Sequence, residues 1–320
     1  MTKIDISIPK DKDGLKARFG DGAYSLTILA LTVSFALFVS PLAAKYVKSG
    51  LQLCVYNVLP STFPFFILSD LYISFGRPEN LRWLGWVFER LFHIERGGAC
   101  AFIVGITCGF PIGAIASTRL YRAGELSKES AERLMAISNL PSPAFIVGAV
   151  GVASFGSFKI GMCLLACTIL SSLITATVLR TKKRHIGEVK AVTEIEFNLV
   201  KSIKSSGISA VNVCAFITAF SVVAGLISEF ITIEPLRSVL IAFIEVSSAS
   251  VHFASIFRSF PLFGIVGVAF SLGFGGISVM LQGAALADDT DLRQSRYFGI
   301  KALQGLTSAL LAFLFFRFFI

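Results

Sequence analysis

Charged and catalytic side chains are scarce in this sequence. Only 15% of its 320 residues are Asp, Glu, Lys or Arg, and it has three histidines and two tryptophans. An ordinary soluble domain has about 25% charged residues. No Ser/His/Asp arrangement, HExxH pattern or P-loop occurs in the chain. These shortages argue against a soluble domain, and we expect no enzyme activity, no metal site and no cofactor.

The six cysteines do not predict a disulfide framework, because they lie in apolar segments rather than in loops. Cys163 and Cys167 are four residues apart, a spacing that puts both on one face of a helix. No histidine or carboxylate stands beside them, so we expect them to be small packing residues.

Hydrophobic residues, by contrast, are abundant. They make up 54% of the chain, and the mean hydropathy is +0.76. A membrane-spanning helix needs about 20 such residues, which leaves room for roughly eight to ten hydrophobic elements. The net charge of +9 lies in the N-terminal tail and in short loops, which indicates a cytoplasmic N-terminus and not a nucleic-acid partner. We therefore expect a multi-pass integral membrane protein whose surroundings are the lipid bilayer.

Charge and hydropathy divide the chain into five parts. We predict a cytoplasmic tail at 1–22, a retained first transmembrane helix at 23–48, a first repeat at 49–180, a basic linker at 181–204 and a second repeat at 205–320. The predicted fold is all-α, a polytopic transmembrane helical bundle. Its later apolar segments are expected at 159–179, 208–227, 236–257, 262–286 and 297–320.

Two breaks interrupt the apolar sequence of the first half. Gly109 and Pro111 stop one run before it can cross a bilayer, and N-L-P-S-P at 139–143 stops another. Proline suits the first turn of a new helix, and Ser142 is a natural N-cap for a helix that starts at Pro143. Backbone that is not helical survives at membrane depth only where protein or water covers it. The breaks therefore predict half-helices, some of them re-entrant, along a solute pathway.

Two amphipathic segments are expected at the membrane surface. Residues 127–139 have Ser127 as N-cap, with Glu132 and Arg133 on the polar face. Residues 81–92 combine tryptophans with charged residues, as short interfacial helices do.

The two halves are weakly similar. Residues 58–65 can be aligned with 213–220, and 109–113 with 273–277, in the same order. Hydrophobic segments that are interrupted by glycine or proline in both halves are typical of transporters built from inverted repeats. We therefore expect two related halves in inverted orientation.

Four motifs resemble the YlbJ-type sporulation integral membrane proteins, which carry nucleoside recognition or Gate domains. They are V-L-P-S-T-F-P-F-F-I-L at 58–68, G-F-P-I-G-A at 109–114 with the L-Y-R-A-G-E-L-S-K-E-S-A-E-R-L that follows, N-L-P-S-P-A-F at 139–145, and G-F-G-G-I-S-V-M-L-Q at 273–282. The resemblance covers about residues 50–315. Gate domains look related to concentrative nucleoside transporters, and the YlbJ-type family is implicated in moving dipicolinic acid across the outer forespore membrane.

The resemblance implies a sporulation transporter of dipicolinic acid or a similar small anion, and it marks two sets of residues. The implied kink residues are Pro60, Ser61 and Pro64. The implied substrate-binding residues are Gly109, Pro111, Gly113, Asn139, Ser142, Pro143, Gly275, Gly276, Ser278 and Gln282. Two departures leave the substrate open: Ala249 replaces a glycine of the family's E-(I/V)-T-x-G pattern, and Met280 replaces a histidine.

These residues suit an anionic solute. Helices that begin at the breaks offer free N–H groups and a positive dipole end, and glycine allows close approach to the backbone. Asn139, Ser142, Ser278 and Gln282 can orient the solute through hydrogen bonds. Close helix packing would equally explain the glycines.

Glu245 is the predicted ion-coupling residue, for H⁺ or Na⁺, because a carboxylate inside an apolar segment is a functional hypothesis by default. A carboxyl at an interface or bonded to a helix end is the alternative. Arg119 and Arg122 could draw anions towards the break, although topology-setting arginines explain them as well. A transporter of nucleosides or another small solute, a non-transporting scaffold in spore assembly, and a homo-oligomer all stay open.

Overall fold

The computed structural model describes residues 33, 40–60, 63–64, 66–68, 82–180 and 198–319. The chain divides into two units, Met1–Lys45 and Tyr46–Ile320, and in the first of them the few described residues are helical. The second unit is helical in all its described elements. From Gly98 onwards its helices are α1 (Gly98–Cys108), α2 (Ile112–Arg122), α3 (Lys128–Ser138), α4 (Ala144–Ser154, with π-helical backbone), α5 (Phe158–Val178), α6 (Leu199–Phe230), α7 (Glu234–Ile244), α8 (Val246–Phe257), α9 (Pro261–Phe274), α10 (Gly276–Ala285) and α11 (Gln294–Phe319).

Helical backbone also precedes α1. It covers residues 46–60, with a π-helical turn at Cys54–Val58, and a short helix at Arg82–Val87 that continues as a π-helical turn at Phe88–Phe92. Pro60 and Pro64 lie in helical backbone, whereas Ser61 lies outside the described residues, so the kink there stays a prediction.

Four stretches are long and apolar enough to cross a membrane: Phe158–Val178, Leu199–Phe230, Pro261–Ala285 and Gln294–Arg317. The first and last agree closely with the expected segments. The second begins at Leu199, inside the stretch that charge alone assigned to the linker, because Asn198 caps it by accepting from the Lys201 N–H at 2.9 Å. The predicted first transmembrane helix at 23–48 falls largely outside the described residues.

α1 and α2 form an antiparallel hairpin. α1 ends where Gly109 takes a positive φ of 85°. An added Cβ at Gly105 would lie 3.0 Å from the Gly113 Cα, and one at Gly97, before α1, would lie 3.0 Å from the Glu125 carboxylate, after α2. The hairpin therefore enters and leaves the bundle at the same end.

That end is here called the linker end, because the helices that flank the linker meet there. Arg119 near the end of α2 donates to Ser205 Oγ, early in α6, at 3.2 Å. Arg122 donates to the Leu286 carbonyl, just after α10, at 2.9 Å. α3 starts at the same end, and its Arg133 donates to the Leu179 carbonyl, just after α5, at 3.4 Å.

α3 and α4 together form a broken crossing of the bundle. α3 runs from the linker end to the break at 139–143, and α4 continues to the opposite end. There α4 packs on the start of α5, where an added Cβ at Gly151 would overlap the Gly161 backbone. The ring of Phe155 meets that of Phe257, at the end of α8, at 5.1 Å between centroids.

α7 and α8 form a second hairpin, which enters from the opposite end. Ser255 near the end of α8 donates to the Glu234 carboxylate, at the start of α7, at 3.3 Å. Arg237 of α7 donates to the Ser228 carbonyl in the last turns of α6, at 3.3 Å. The expectation of one apolar segment at 236–257 was therefore wrong, because the chain turns back at Glu245.

α9 and α10 form the second broken crossing, from the opposite end to the linker end. It is interrupted at Gly275 and Gly276, whose φ angles are 86° and 79°. α11 then returns across the bundle as a single helix, and it packs mainly on α9 and α5.

The polar face of α3 does not lie in solvent. Ser127 caps the helix as expected, but Glu132 and Arg133 are 2% and 1% exposed. The Arg133 guanidinium donates to the Phe92 and His93 carbonyls at 2.8 and 2.7 Å, at the end of the π-helical turn before α1. Sequence periodicity does not reveal this contact, because the partners lie 40 and 41 residues apart. The expected surface location of these two side chains was wrong.

Candidate functional site

A polar cleft opens at the linker end between α2, α6 and α10. Its volume is about 410 Å³, and Ser205, Ser209 and Asn212 of α6 form one wall. Small-molecule sites usually measure about 300–1,000 Å³. Arg119 and Arg122 stand on the α2 wall. The cleft is thus large enough for a small solute.

The charges of this cleft are balanced. Asp288 and Asp289 line it together with the two arginines, and Arg122 forms an ion pair with Asp289. The cleft therefore presents no field of one sign to an approaching solute. This balance does not favour the suggestion that Arg119 and Arg122 draw anions in.

The cleft narrows towards the interior. Its inner neck has a volume of about 10 Å³ and is lined by Asn212 and Phe216 of α6 and by Gln282 of α10. A space of about 10–15 Å³ holds one water molecule. Gln282 Nε2 donates to Ser278 Oγ at 3.3 Å, and both side chains are buried. One predicted substrate residue, Gln282, thus lies at the inner end of a cleft that is shut to anything larger than water, and Ser278 is its hydrogen-bond partner.

The two breaks of the first half pack directly on each other. An added Cβ at Gly109 would lie 2.7 Å from the Ser142 nitrogen, and one at Gly113 would overlap the Ser138 carbonyl oxygen. Only glycine allows this approach, so the close packing that the sequence left open is present at both positions. The structure places Gly109, Gly113 and Ser142 together.

The helix starts at these breaks also follow the sequence. Ser142 Oγ accepts from the Phe145 N–H at 3.2 Å, and Pro143 directly precedes α4, which confirms the predicted cap. Pro111 directly precedes α2 and follows a cis peptide bond. Two helix N-termini therefore face the interior of the bundle beside each other.

The two breaks of the second half make a similar pair. An added Cβ at Gly276 would lie 2.8 Å from the Ile244 carbonyl oxygen and 3.1 Å from the Glu245 nitrogen. Gly275 and Gly276 thus fit against the tip of the second hairpin, as the first-half glycines fit against Ser138 and Ser142.

Glu245 caps the helix that follows it. Its carboxylate accepts from the backbone N–H groups of Ser247 and Ser248 at 2.9 and 2.7 Å, and the residue is 4% exposed. Both oxygens are therefore bonded to a helix start, which is the alternative that the sequence left open. Ion coupling at Glu245 stays a prediction.

Asn139 connects the first-half breaks with α11. It is fully buried, its Nδ2 donates to Tyr297 Oη at 2.8 Å, and its carbonyl accepts from Lys301 Nζ at 2.9 Å. An added Cβ at Gly275 would lie 3.8 Å from Lys301 Cε. Lys301 thus lies between the breaks of the two halves.

Sequence reasoning missed Tyr297 and Lys301. The signal was available, because Lys301 lies within an apolar segment, as Glu245 does, and the same rule on intramembrane charge applies to both. What periodicity could not show is that Asn139 would be the partner of both side chains.

Ion pairs outside the spans fasten the loop after α10 to α2 and α3. The Lys128 ammonium and the Tyr121 hydroxyl donate to Asp291 at 2.8 and 2.5 Å. The hydrogen bonds from Lys128 and Tyr121 lower the pKa of Asp291, and the one from Tyr121 raises the pKa of that phenol to about 12. Arg122 likewise lowers the pKa of Asp289. These contacts hold the cleft mouth in its present form.

The comparisons with known proteins agree with the motifs. The chain is 26% identical to the sporulation integral membrane protein YlbJ of Bacillus subtilis (strain 168), over 89% of this chain and 82% of that protein. No protein-family model matches the chain, and no solved structure matches it. Together with four apolar helices long enough to span a bilayer, the similarity supports an integral membrane protein. The motifs and this similarity support a YlbJ-type assignment for the chain.

Proposed function

We propose that this protein is a multi-pass membrane transporter that moves dipicolinic acid or a similar small anion during sporulation. The observation that carries the proposal is the placing of four helix breaks in the bundle interior, with a polar cleft that reaches towards one of them. Breaks at this depth are tolerated where they line a route for a polar solute. The name of the B. subtilis relative supports the sporulation context.

An inverted repeat is the architecture that this proposal requires. In each half a hairpin is followed by a broken crossing and then by one long helix, and the first hairpin enters from the linker end, the second from the opposite end. The five helix starts of the second half follow those of the first by 132 to 136 residues. The pairs are Gly98 with Glu234, Ile112 with Val246, Lys128 with Pro261, Ala144 with Gly276, and Phe158 with Gln294.

This register differs from the motif alignment made on sequence alone. It pairs the Gly109 break with Glu245 and the Asn139 break with Gly275, whereas the motifs aligned 109–113 with 273–277. Similar glycine patterns therefore belong to a hairpin tip in one half and to a broken crossing in the other. The helix order supports two related halves on firmer grounds than the glycine motifs do.

The positive ends of three short helices favour an anion as the solute. α2, α4 and α10 begin at breaks, and a helix start carries about half a positive charge, whereas the start of α8 is already bound by the Glu245 carboxylate. By the positive-inside rule, the linker end with its basic linker is the cytoplasmic side. The solute would enter or leave there through the cleft, and the neck at Gln282 has to open for passage.

Flux into proteoliposomes tests the proposal. Purified protein is reconstituted, and uptake of dipicolinate is compared with uptake of uridine, each in competition with the other. We expect saturable dipicolinate uptake that uridine does not inhibit. Nucleoside uptake without dipicolinate uptake would instead identify a nucleoside transporter, and no flux of either would favour a scaffold.

A variant that blocks the cleft tests whether the solute passes through it. Ala285 lines both the cleft and the neck, so Ala285→Trp should abolish uptake by filling them. The control is Val178→Trp, at a site on α5 that is 65% exposed and away from the cleft. Equal flux in both variants would show that the solute does not pass through this cleft.

A further inference from the structure

One face of α11 carries a buried polar row. Tyr297, Lys301, Gln304 and Ser308 follow at spacings of four, three and four residues, which places them on one side of a helix, and each is fully buried. The row lies within the span Gln294–Arg317. Polar and ionisable side chains are costly at that depth and are seldom present without a function.

The ammonium group of Lys301 has only neutral acceptors. Its Nζ donates to the Asn139 carbonyl and to Gln304 Oε1, both at 2.9 Å. Within the part of the chain that the structure describes, no carboxylate lies at ion-pair distance from it. A buried charge without a counter-charge is strongly unfavourable, so a charged Lys301 would need an anion beside it.

The helices packed against α11 do not supply the missing charge. α5, α9 and α10 contain no acidic residue. On α3, the Glu132 carboxylate accepts from the Arg293 N–H and from Arg296 at 2.9 and 3.0 Å. Glu129 lies in the first turn of α3, about 15 Å along the helix from Asn139.

Hydrogen-bond donors are also in excess beside Lys301. Gln304 Nε2 and Ser308 Oγ make no hydrogen bond to any described residue, and among acceptors the same holds for Asn139 Oδ1. A charged Lys301 would have three donors, and only two acceptors are present here. A carboxylate accepts hydrogen bonds and donates none, so it matches both the charge and the surplus donors.

The row lies where the two broken crossings meet. Asn139 ends α3 at the first break, and Gly275 lies at the second, against the Lys301 stem. An added Cβ at Gly273 would lie 2.8 Å from Ser308 Cβ. Any separation of the two crossings would therefore uncover this row.

From the combination of a buried lysine without a counter-charge, unmet donors and position between the crossings, we propose that Lys301, Gln304 and Ser308 form a carboxylate-binding site, which is closed in this conformation. The inference rests on the proposed function, because it names the group through which an anionic solute is held. It makes Lys301 the residue that selects anions over neutral solutes of similar shape.

Three pyridines of similar shape test this selection in proteoliposomes: dipicolinate with two carboxylates, picolinate with one, and the uncharged dipicolinamide. For the wild type we expect uptake in that order, with little flux of the diamide. Lys301→Met should reduce dipicolinate uptake at least about tenfold, since a hydrogen-bonded charge pair is lost, and should leave the diamide unchanged. Lys301→Arg should retain part of the anion flux.

Gln304→Glu is the sharpest variant, because it places a carboxylate beside the ammonium and should block anion uptake by occupying the site from within. Lys159→Met removes an exposed lysine at the start of α5 and is the matched control, with uptake expected to be unchanged. Thermal unfolding of each variant in detergent reports whether it folds.

The outcomes separate the inference from the proposed function. Wild-type flux of dipicolinate with equal flux in Lys301→Met would overturn the inference and leave the transporter standing. No anion flux in the wild type would overturn the proposed function itself. If Lys301→Met does not fold, the wild-type series still decides, because equal uptake of dipicolinate and dipicolinamide would show that no charged group selects the solute.

Discussion

The hairpin tips at Gly109 and Glu245 lie at corresponding points of the two halves, yet different groups hold them. Gly109 fits closely against Ser142, and Gly113 fits against the backbone of Ser138. Glu245 fastens its tip with a buried carboxylate that binds the next helix start. The first half thus depends on the smallness of its residues, and the second on a charge-assisted cap. A glycine motif and a carboxylate can therefore mark the same structural position.

The largest expected effect comes from Gly113→Ala, because the added methyl group would overlap the Ser138 carbonyl, which backbone bonds hold in place. We expect the free energy of unfolding to fall by about 3 kcal/mol. Thermal unfolding in detergent should then show a melting temperature lower by roughly 6 °C. Gly148→Ala is the control, since nothing lies within 4 Å of its added Cβ. Identical melting of the two variants would contradict packing as the support of the first tip.

Glu245→Ala should come next. It leaves the N–H groups of Ser247 and Ser248 without their acceptors in a buried position, at a cost of about 2 kcal/mol. Glu245→Gln keeps the shape and one acceptor oxygen and should melt between alanine and wild type. A glutamine variant that melts like the wild type but transports nothing would indicate ion coupling rather than capping.

Ser142→Ala should cost about half as much, roughly 1 kcal/mol, because a single N–H group, that of Phe145, loses its cap. Ser142→Thr retains the hydroxyl and serves as the control. A smaller loss of unfolding free energy in Ser142→Ala than in Glu245→Ala would support the difference between the two halves. An equal or larger loss would mean that the first break depends on its cap as much as the second does.

The smallest effect on stability is expected from the Asp291 contacts at the linker end, and it depends on pH. The pKa of Asp291 is lowered in the folded protein, so its contribution is present above its ordinary pKa of about 3.9 and is lost as the pH falls through the lowered value. Asp291→Asn should melt below the wild type at about pH 6, and the gap should narrow as the pH falls below about 3.9. Asp288→Asn, at an exposed neighbour, controls for the loss of charge. A gap that persists in acid would rule out these contacts as the cause.

The same comparison applies to the two buried charges. Glu245 is satisfied by its own helix start, whereas Lys301 is held by neutral groups beside unmet donors. Both looked alike in the sequence as ionisable residues in apolar segments. Only their surroundings distinguish them, because one caps a helix start and the other has unmet donors beside it, which is the basis of the carboxylate site proposed above.

Much of the fold was predictable because it depends on local chemistry. Apolar length predicted α5 and α11 closely, and proline, glycine and serine predicted the breaks at Gly109 and Ser142. The turn at Glu245 was not predictable, because it has no glycine or proline and only its carboxylate makes it possible. The burial of Glu132 and Arg133 was missed because their partners lie on segments far apart in the chain.

The sequence by itself determined that this is an apolar helical protein with interrupted helices that is similar to the YlbJ type, since composition, hydropathy and turn residues act over short distances along the chain. Only the tertiary structure decided which breaks pack together and that Lys301 lies between them. The reason is physical: helix packing brings Asn139 to a residue 162 positions away, and no local pattern specifies that contact.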